Sequence, residues 1–278
     1  MMGPMLADVI DLLICPVCRE GLARAGGAVR CGRGHSFDVA RQGYVSLLTG
    51  SAAPGTADTP AMVAARADFL AAGHYAPLAD RLARLCADAA VVADAGAGTG
   101  YYLARALPEG AAGIALDISR HAIKRAARAH PRVGAVVADV WRPLPVRDVS
   151  VDVLLNVFAP RNPAEFARVL RPGGTLVVVT PAARHLRPLV ERLGLLSVDE
   201  DKERRLEEAL GGRFARTGLD AVEVALDLGH PAVEAVVGMG PSAWHTDPGT
   251  LADRVRALPD PVRVTASFQI TTWVPRAC

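Results

Sequence analysis

The sequence predicts an α/β protein in which a small metal-stapled N-terminal module precedes a doubly wound, mostly parallel sheet. Three observations lead there. Four residues of metal-ligand type, Cys15, Cys18, Cys31 and His35, crowd into one short segment, "CPVCREGLARAGGAVRCGRGH". Later in the chain, short β-rich runs alternate with stretches of helical length, the pattern of consecutive βαβ units. The first of those runs ends in a glycine-dense turn, Asp94-Ala95-Gly96-Ala97-Gly98-Thr99-Gly100, at the kind of strand end where such sheets bind ligands.

Composition sets the frame for these features. The 278 residues are 51% hydrophobic and 22% charged, enough apolar material for one large domain with a small appendage and too much for a disordered chain. The net charge of +2 neither requires nor forbids a nucleic-acid partner, so any basic surface has to be local. The opening "MMGPMLADVIDLLICP" lacks the basic start of a secretion signal, and no apolar run reaches the roughly 18 residues of a membrane span. A soluble, cytoplasmic protein with no membrane partner is expected, with its thiols reduced and free to coordinate metal.

The spacing Cys-x2-Cys, twelve residues, Cys-x3-His supplies three thiolates and one imidazole, the closed tetrahedral set preferred by a structural Zn²⁺. Cys31 and His35 are expected on a short hairpin facing the Cys15/Cys18 turn. A module of this size, residues 1–48, builds little core of its own, so the metal supplies much of its folding free energy. Between Cys15 and Arg41 it carries Arg19, Arg24, Arg30, Arg33 and Arg41 against Glu20 and Asp38. That excess forms either a phosphate-gripping surface or a solvated arginine-rich face. Cys86 lies in an apolar stretch and reads as a core thiol, and Cys278 is the chain end.

Residues 49–278 open with a Gly/Pro/Ser/Thr-rich linker and then helical spacing in Met62, Ala65, Phe69 and Leu70. The runs "VVADAG", "GIALD", "AVVAD", "VDVLLNVF" and "TLVVVTP" read as parallel strands separated by helices. Two further β-rich stretches, Asp220–Leu228 and Arg263–Val274, flank a helix and loop. The dinucleotide fingerprint G-x-G-x-x-G fails because Gly100 follows Gly98 by two positions instead of three.

The turn instead resembles the D/E-x-G-x-G-x-G loop of class I S-adenosylmethionine-dependent methyltransferases. That resemblance implies a Rossmann-like, seven-stranded sheet with Arg263–Val274 as its antiparallel seventh strand. It also implies a cofactor site formed by Asp94, Gly96, Gly98, Gly100, Tyr102, Asp117, Asp139, Val140 and Asn156. Asp117 would accept the ribose hydroxyls, and Asp139-Val140 would form the adenine edge. The segment Asn156-Val157-Phe158-Ala159-Pro160 falls where the class holds the methyl acceptor, which gives Asn156 a catalytic role as well.

Taken with the N-terminal module, "CGRGHSFDVARQGYVSLL", "AARADFLAAGHYAPL", "DAGAGTGYYLARAL", "ALDISRHAIKRAA", "NVFAPRNPAEFARVLRPGG", "TPAARHLRPL" and "GMGPSAWH" resemble the RlmA-type bacterial 23S ribosomal RNA (guanine-N1)-methyltransferases over nearly the whole chain. The resemblance implies methyl transfer to a guanine in a 23S rRNA hairpin of the macrolide-binding region. The arginine- and alanine-rich composition favours the branch linked to tylosin-type resistance. Guanine N1 is protonated at neutral pH, and His245 is the candidate to take that proton. Trp244 and Phe158 could stack on an unstacked guanine or serve as core aromatics. Arg19, Arg30 and Arg33, joined by Arg120, Lys124, Arg125 and Arg128 at helical spacing, are candidate phosphate contacts. Two other classes remain in play: a small-molecule methyltransferase, and a noncatalytic zinc-containing RNA-binding protein. The sequence leaves the oligomeric state open, a homodimer included.

Overall fold

The computed structural model describes residues 4–50, 57–195, 201–240 and 248–276. After a short helix, α1 (Pro4–Ala7), three strands form an antiparallel sheet in the order β1 (Leu22–Ala25), β2 (Ala28–Cys31) and β3 (Ser36–Asp38). A two-residue strand, β4 (Val45–Ser46), then leads through the linker to α2 (Pro60–Ala71) and α3 (Ala76–Leu85). Thr59 caps α2 by accepting the Met62 amide at 3.2 Å, and Pro60 occupies the first turn, where its missing N–H costs nothing. Met62, Phe69 and Leu70 are buried along that helix.

The large sheet follows from the apolar runs. Its strands are β5 (Val91–Ala95), β6 (Ala112–Asp117), β7 (Val133–Val137), β8 (Val151–Val157), β9 (Leu170–Pro181), β10 (Phe214–Leu228) and β11 (Val262–Pro275). Between them run α4 (Tyr101–Ala106), α5 (Arg120–Ala126), α6 (Pro163–Val169), α7 (Arg187–Leu193), α8 (Lys202–Leu210), α9 (His230–Gly238) and α10 (Pro248–Arg256). The spatial order is β10-β11-β9-β8-β5-β6-β7-β4. The strands from β4 to β9 are parallel, and β11 pairs antiparallel with both β9 and β10. All five residues of β5 and of β7 are buried, as expected for central strands covered on both faces.

Side chains alternate between two core layers. Val92 faces the layer that holds Phe69, Leu78 and Ile123, while Val91, Ala93 and Ala95 face the layer that holds Phe166 and Trp273. Leu6, Val9, Leu13, Cys15 and Cys31 belong to that second layer, so the core of the N-terminal segment is continuous with the core under the large sheet. Leu13 bridges to Val146, Ile14 N–H donates to Pro145 O at 3.1 Å, and Arg147 N–H donates to Leu12 O at 2.8 Å. Cys86 is fully buried, as its apolar surroundings predict.

Two differences from the sequence expectation have physical causes. The sheet has eight strands instead of seven because Val45–Ser46 pairs with Val136–Val137 and covers the edge of β7 that would otherwise expose unpaired backbone. Two residues carry no readable periodicity, so this strand was invisible in the sequence. The third expected strand runs to Asp139, yet the ladder stops at Val137. The Asp139 carboxylate turns back to accept the Trp141 amide at 3.0 Å, an Asx-type turn that ends the strand.

The docking of the N-terminal segment on β7 depends on one missing side chain. A Cβ at Gly134 would lie 2.0 Å from Val9 Cγ2, and a β-branched valine cannot swing clear. Gly134→Ala is expected to destabilise the protein by about 1–3 kcal/mol through overpacking, read as a lowered urea midpoint with an unchanged slope.

Candidate active site and metal centre

The expected metal ligands converge. Cys15 Sγ lies 3.6 Å from His35 Nδ1, Cys31 Sγ lies 3.3 Å from the same nitrogen, and Cys18 Sγ lies 3.6 Å from Cys31 Sγ. All four ligand atoms fall within 4.8 Å of one another. A tetrahedral Zn²⁺ with bonds of roughly 2.0–2.3 Å requires ligand-to-ligand edges of roughly 3.5–3.8 Å, so the set fits that ion and presents His35 through Nδ1. Two tight turns hold the ligands. Cys15 N–H donates to Glu20 O at 2.7 Å and Arg19 N–H to Cys15 O at 2.8 Å, while Gly34 N–H donates to Cys31 O at 3.0 Å. Burial pushes the Cys31 thiol up, but hydrogen bonds from His35, then from Cys18 and the backbone, outweigh it and bring the group down to about 6.

The arginines of this module divide. Arg19 has a positive φ of 63° and reaches across to Asp148 at 3.2 Å, and Arg33 donates to Glu20 at 2.7 Å. Both hold the module together or against the large domain. Arg30 is exposed on β2 and has no ion pair among the described residues.

At the carboxyl ends of the parallel strands lies a cavity of about 1120 Å³. Typical small-molecule sites occupy roughly 300–1,000 Å³, so this one has room for a cofactor and for part of a second reactant. Gly96, Gly98, Tyr102, Asp117, Asp139, Val140 and Phe158 border it. Asp117 accepts the Gly98 amide at 2.8 Å and the Ser119 amide at 2.8 Å, which fixes the glycine loop against the end of β6 and leaves lone pairs for a ligand hydroxyl. Burial raises the Asp117 carboxyl, and those two amides act in the opposite direction. Gly100 caps α4 behind the loop with a φ of 78°.

Asp94 and Asn156 sit beneath the cavity wall. Asp94 is 1% exposed, and neither carboxylate oxygen has a partner among the described residues. Burial first, and then the charge of Asp117, push its carboxyl up to about 8. Such an orphaned acid beside a glycine cradle suits a cationic ligand group. Asn156 is fully buried, and its Nδ2 donates to Ala95 O at 3.0 Å and to Pro160 O at 2.8 Å. Its amide thereby ties the ends of β5 and β8 together. A Cβ at Gly96, which has a φ of 90°, would lie 2.2 Å from the Ala159 Cβ.

Phe158 is 43% exposed and holds a φ of 55°, a strained value for an aromatic residue that puts its ring at the cavity. Its ring centroid lies 6.2 Å from Tyr102 and 5.6 Å from Phe268. Trp244 and His245 lie outside the described residues. Sequence reasoning left several other residues at the cavity unassigned. Asp58 is ion-paired with Arg66, whose Nη2 donates to Met239 O at 2.8 Å, and this pair stands over the glycine loop. Arg161 borders the cavity with a buried Nε that has no partner among the described residues, and burial lowers its guanidinium. Trp141 stands 66% exposed at the cavity beside Asp139, and His185 borders it from the loop after β9. Arg161 and His185 fall within segments that resemble the family, yet nothing in their spacing marked them out.

The glycine cradle, the acidic strand ends and the antiparallel last strands define a class I S-adenosylmethionine-dependent methyltransferase, here carrying a zinc ribbon. Residues 92–174 match a methyltransferase-domain family, and residues 13–50 match the family described as RlmA, N-terminal. A solved Haloferax volcanii protein with a provisional methyltransferase assignment, determined with the Trm112 methyltransferase activator, shares the fold at a TM-score of 0.51 and 21% identity, over 78% of this chain and 97% of its own. The 23S rRNA (guanine(748)-N(1))-methyltransferase of Streptomyces fradiae is 50% identical over 98% of this chain and 99% of its own length. A Micromonospora griseorubida protein with a provisional 23S rRNA (guanine-N(1)-)-methyltransferase assignment is also 50% identical, over 98% of this chain and all of its own. The chain belongs to the 23S rRNA (guanine-N1)-methyltransferase family.

Three outcomes test these sites. Properly folded protein is expected to contain about one equivalent of zinc by metal analysis, and Cys18→Ala should lose it and open the β1–β3 hairpin to protease before the large sheet. Asp117→Ala should weaken S-adenosylmethionine binding at least tenfold by calorimetry, since hydrogen bonds to a charged acceptor are worth roughly 1.5–3 kcal/mol each. The Asp94 carboxyl is raised in the fold. Its contribution to stability is therefore complete below the unfolded value of about 4 and is lost as pH rises through about 8. Melting temperatures of the cofactor-free protein from pH 5 to 8.5 should fall with this group, and Asp94→Asn should flatten that part of the slope.

Proposed function

We propose that this protein transfers a methyl group from S-adenosylmethionine to N1 of a guanine in a 23S rRNA hairpin of the macrolide-binding region, in the cytoplasm, and contributes to tylosin-type resistance. The observation that carries this reading is the 50% identity, over essentially full length, to the Streptomyces fradiae enzyme named for guanine 748. The cavity adds support, because its volume exceeds what one cofactor needs and its acceptor side offers the exposed Phe158 ring as a stacking surface for an extruded base.

The bound cofactor supplies an electrophilic methyl group on its sulfonium. This chain's residues do the rest. Asp94, Gly96, Gly98, Gly100, Tyr102, Asp117, Asp139, Val140 and Asn156 form or brace the cofactor side. Asn156 acts by locking the segment that carries Phe158, while Trp244 is a second stacking candidate. Holding nitrogen and methyl in line is worth roughly 7–11 kcal/mol of the barrier. Arg19, Arg30 and Arg33 from the zinc ribbon and Arg120, Lys124, Arg125 and Arg128 from the region of α5 would contact phosphates, Arg19 and Arg33 from positions where they also meet Asp148 and Glu20. The working state is proposed to be a homodimer, which light scattering at micromolar concentration would check.

Labelled methyl transfer to ribosomal RNA from a strain lacking this gene, followed by base mapping, is expected to give N1-methylguanine at one hairpin position and no label on small natural-product acceptors. Label on a small acceptor alone would overturn the reading. Arg30→Glu, and separately Lys124→Glu with Arg128→Glu, should weaken RNA binding and reduce its salt dependence by about one unit of slope for each phosphate no longer neutralised, with cofactor affinity unchanged.

A further inference from the structure

An enzyme that methylates one kind of base needs a group that reads that base, and the cavity keeps one cation that the fold leaves unused. We propose that Arg161 reads the O6 and N7 edge of the target guanine, a proposal that rests on the guanine-N1 reading above. Arg161 borders the cavity in the segment after β8 that also carries Phe158, and its Nε is buried without a partner among the described residues. The other arginines at the cavity are engaged: Arg66 holds Asp58 and the Met239 carbonyl, and Arg205 has a partner as well. The carboxylates of the adjoining loops are taken too. Asp139 accepts the Trp141 amide at 3.0 Å with Arg142 at 3.8 Å, and Glu165 of α6 binds Arg168 at 2.9 Å. With no carboxylate to offset burial, the Arg161 guanidinium is lowered from its ordinary value, yet that value lies so high that the group stays charged.

The backbone on either side of Arg161 is fixed. Asn156 Nδ2 donates to the Pro160 carbonyl at 2.8 Å, and Asn162 Nδ2 donates to Val140 O at 3.0 Å, so the residue is carried between two pinned neighbours. Less freedom is then lost when its guanidinium meets a ligand. Three candidate ligands are separated by placement and chemistry. The cation that stands over the glycine loop is Arg66, whose Nη1 lies 3.5 Å from where a Gly98 Cβ would be, so Arg161 falls on the acceptor side with Phe158. A backbone phosphate stays at the rim of a cavity, whereas a ligand of the buried Nε has to enter it, as an extruded base does. Guanine presents O6 and N7 as two acceptors side by side, the pattern that matches the planar arginine fork, while adenine puts an N6 donor against it. Reading that edge leaves N1 open to the methyl group. When the N1–C bond forms and the S–CH₃ bond breaks, the N1 proton passes to water and the electron density it leaves gathers on O6, where the guanidinium stabilises it.

The test is single-turnover methyl transfer at subsaturating RNA and saturating S-adenosylmethionine. The substrate is a synthetic hairpin with guanine or 7-deazaguanine at the mapped position, and the proteins are wild type, Arg161→Met and Arg161→Lys. Wild type should slow about fivefold or more on 7-deazaguanine, which keeps N1 and O6 but lacks the N7 acceptor. Arg161→Met should fall about 50-fold on guanine and respond less than about twofold to the loss of N7, and Arg161→Lys, which keeps the charge without the fork, should stay at least about tenfold below wild type. Cofactor affinity of Arg161→Met by calorimetry should stay within about threefold of wild type, and its salt slope for RNA binding should change by well under the roughly one unit that a phosphate contact carries. Because the charge removed was buried and unpaired, the cofactor-free Met variant should melt no lower than wild type. The proposal is overturned if wild type is indifferent to N7, or if Arg161→Met keeps the wild-type rate or melts several degrees below it. A loss of cofactor affinity in proportion to rate assigns Arg161 to the cofactor's carboxylate, and a full unit of lost salt slope with N7 still sensed assigns it to a phosphate; either overturns the proposal. A wild-type protein that labels no guanine overturns it together with the function it rests on, while guanine labelled without regard to N7 overturns this proposal alone.

Discussion

Where the strand order reverses at the middle of the sheet, the loops after β5 and β8 approach so closely that one more methyl group would separate them. The Gly96 position has room for no Cβ beside Ala159, and Asn156 bridges the Ala95 and Pro160 carbonyls from below. This contact sets the distance between the cradle for the methyl donor and the segment that presents the acceptor. Every feature of the cavity rim is referenced to it: Asp117 holds the glycine loop from one side, and Phe158, with its left-handed backbone, projects from the other. Close loop packing of this kind converts the stability of two central strands into positional accuracy at the reacting atoms.

The polar groups left unpaired around that contact mark where ligands belong. Asp94, Asn156 Oδ1 and Arg161 Nε are buried without partners among the described residues, and each such group costs free energy until something satisfies it. Their signs differ by location. The acid lies under the glycine cradle, matching a cationic cofactor, and the guanidinium borders the cavity, matching an electron-rich acceptor such as a nucleobase oxygen or a phosphate.

The zinc ribbon serves the same site from a distance. Its ligand cysteines share a core with the face of the large sheet, its last strand covers the β7 edge, and its first residues pack on Gly134. Arg19 adds an ion pair to Asp148, which Arg168 also binds at 2.6 Å. The ribbon thereby braces the edge of the sheet whose carboxyl end carries Asp139 and Trp141. None of the four ligand residues borders the cavity.

The sequence by itself determined the elements whose chemistry is local. Metal-ligand spacing named all four atoms of the zinc set, because a tetrahedral ion imposes short, fixed separations on the chain. Alternating apolar runs located the central strands, and a glycine loop with an acid at the next strand end located the cofactor side. Tertiary structure alone decided what depends on residues far apart in the chain. The eighth strand exists only because β7 offers an open edge. The fold alone also brings Asp148 beside Arg19 and Glu20 beside Arg33. Arg161 gained significance only when folding placed it at the cavity opposite the acids of β6 and β7, since nothing in a residue's immediate neighbours records which distant strand it will face.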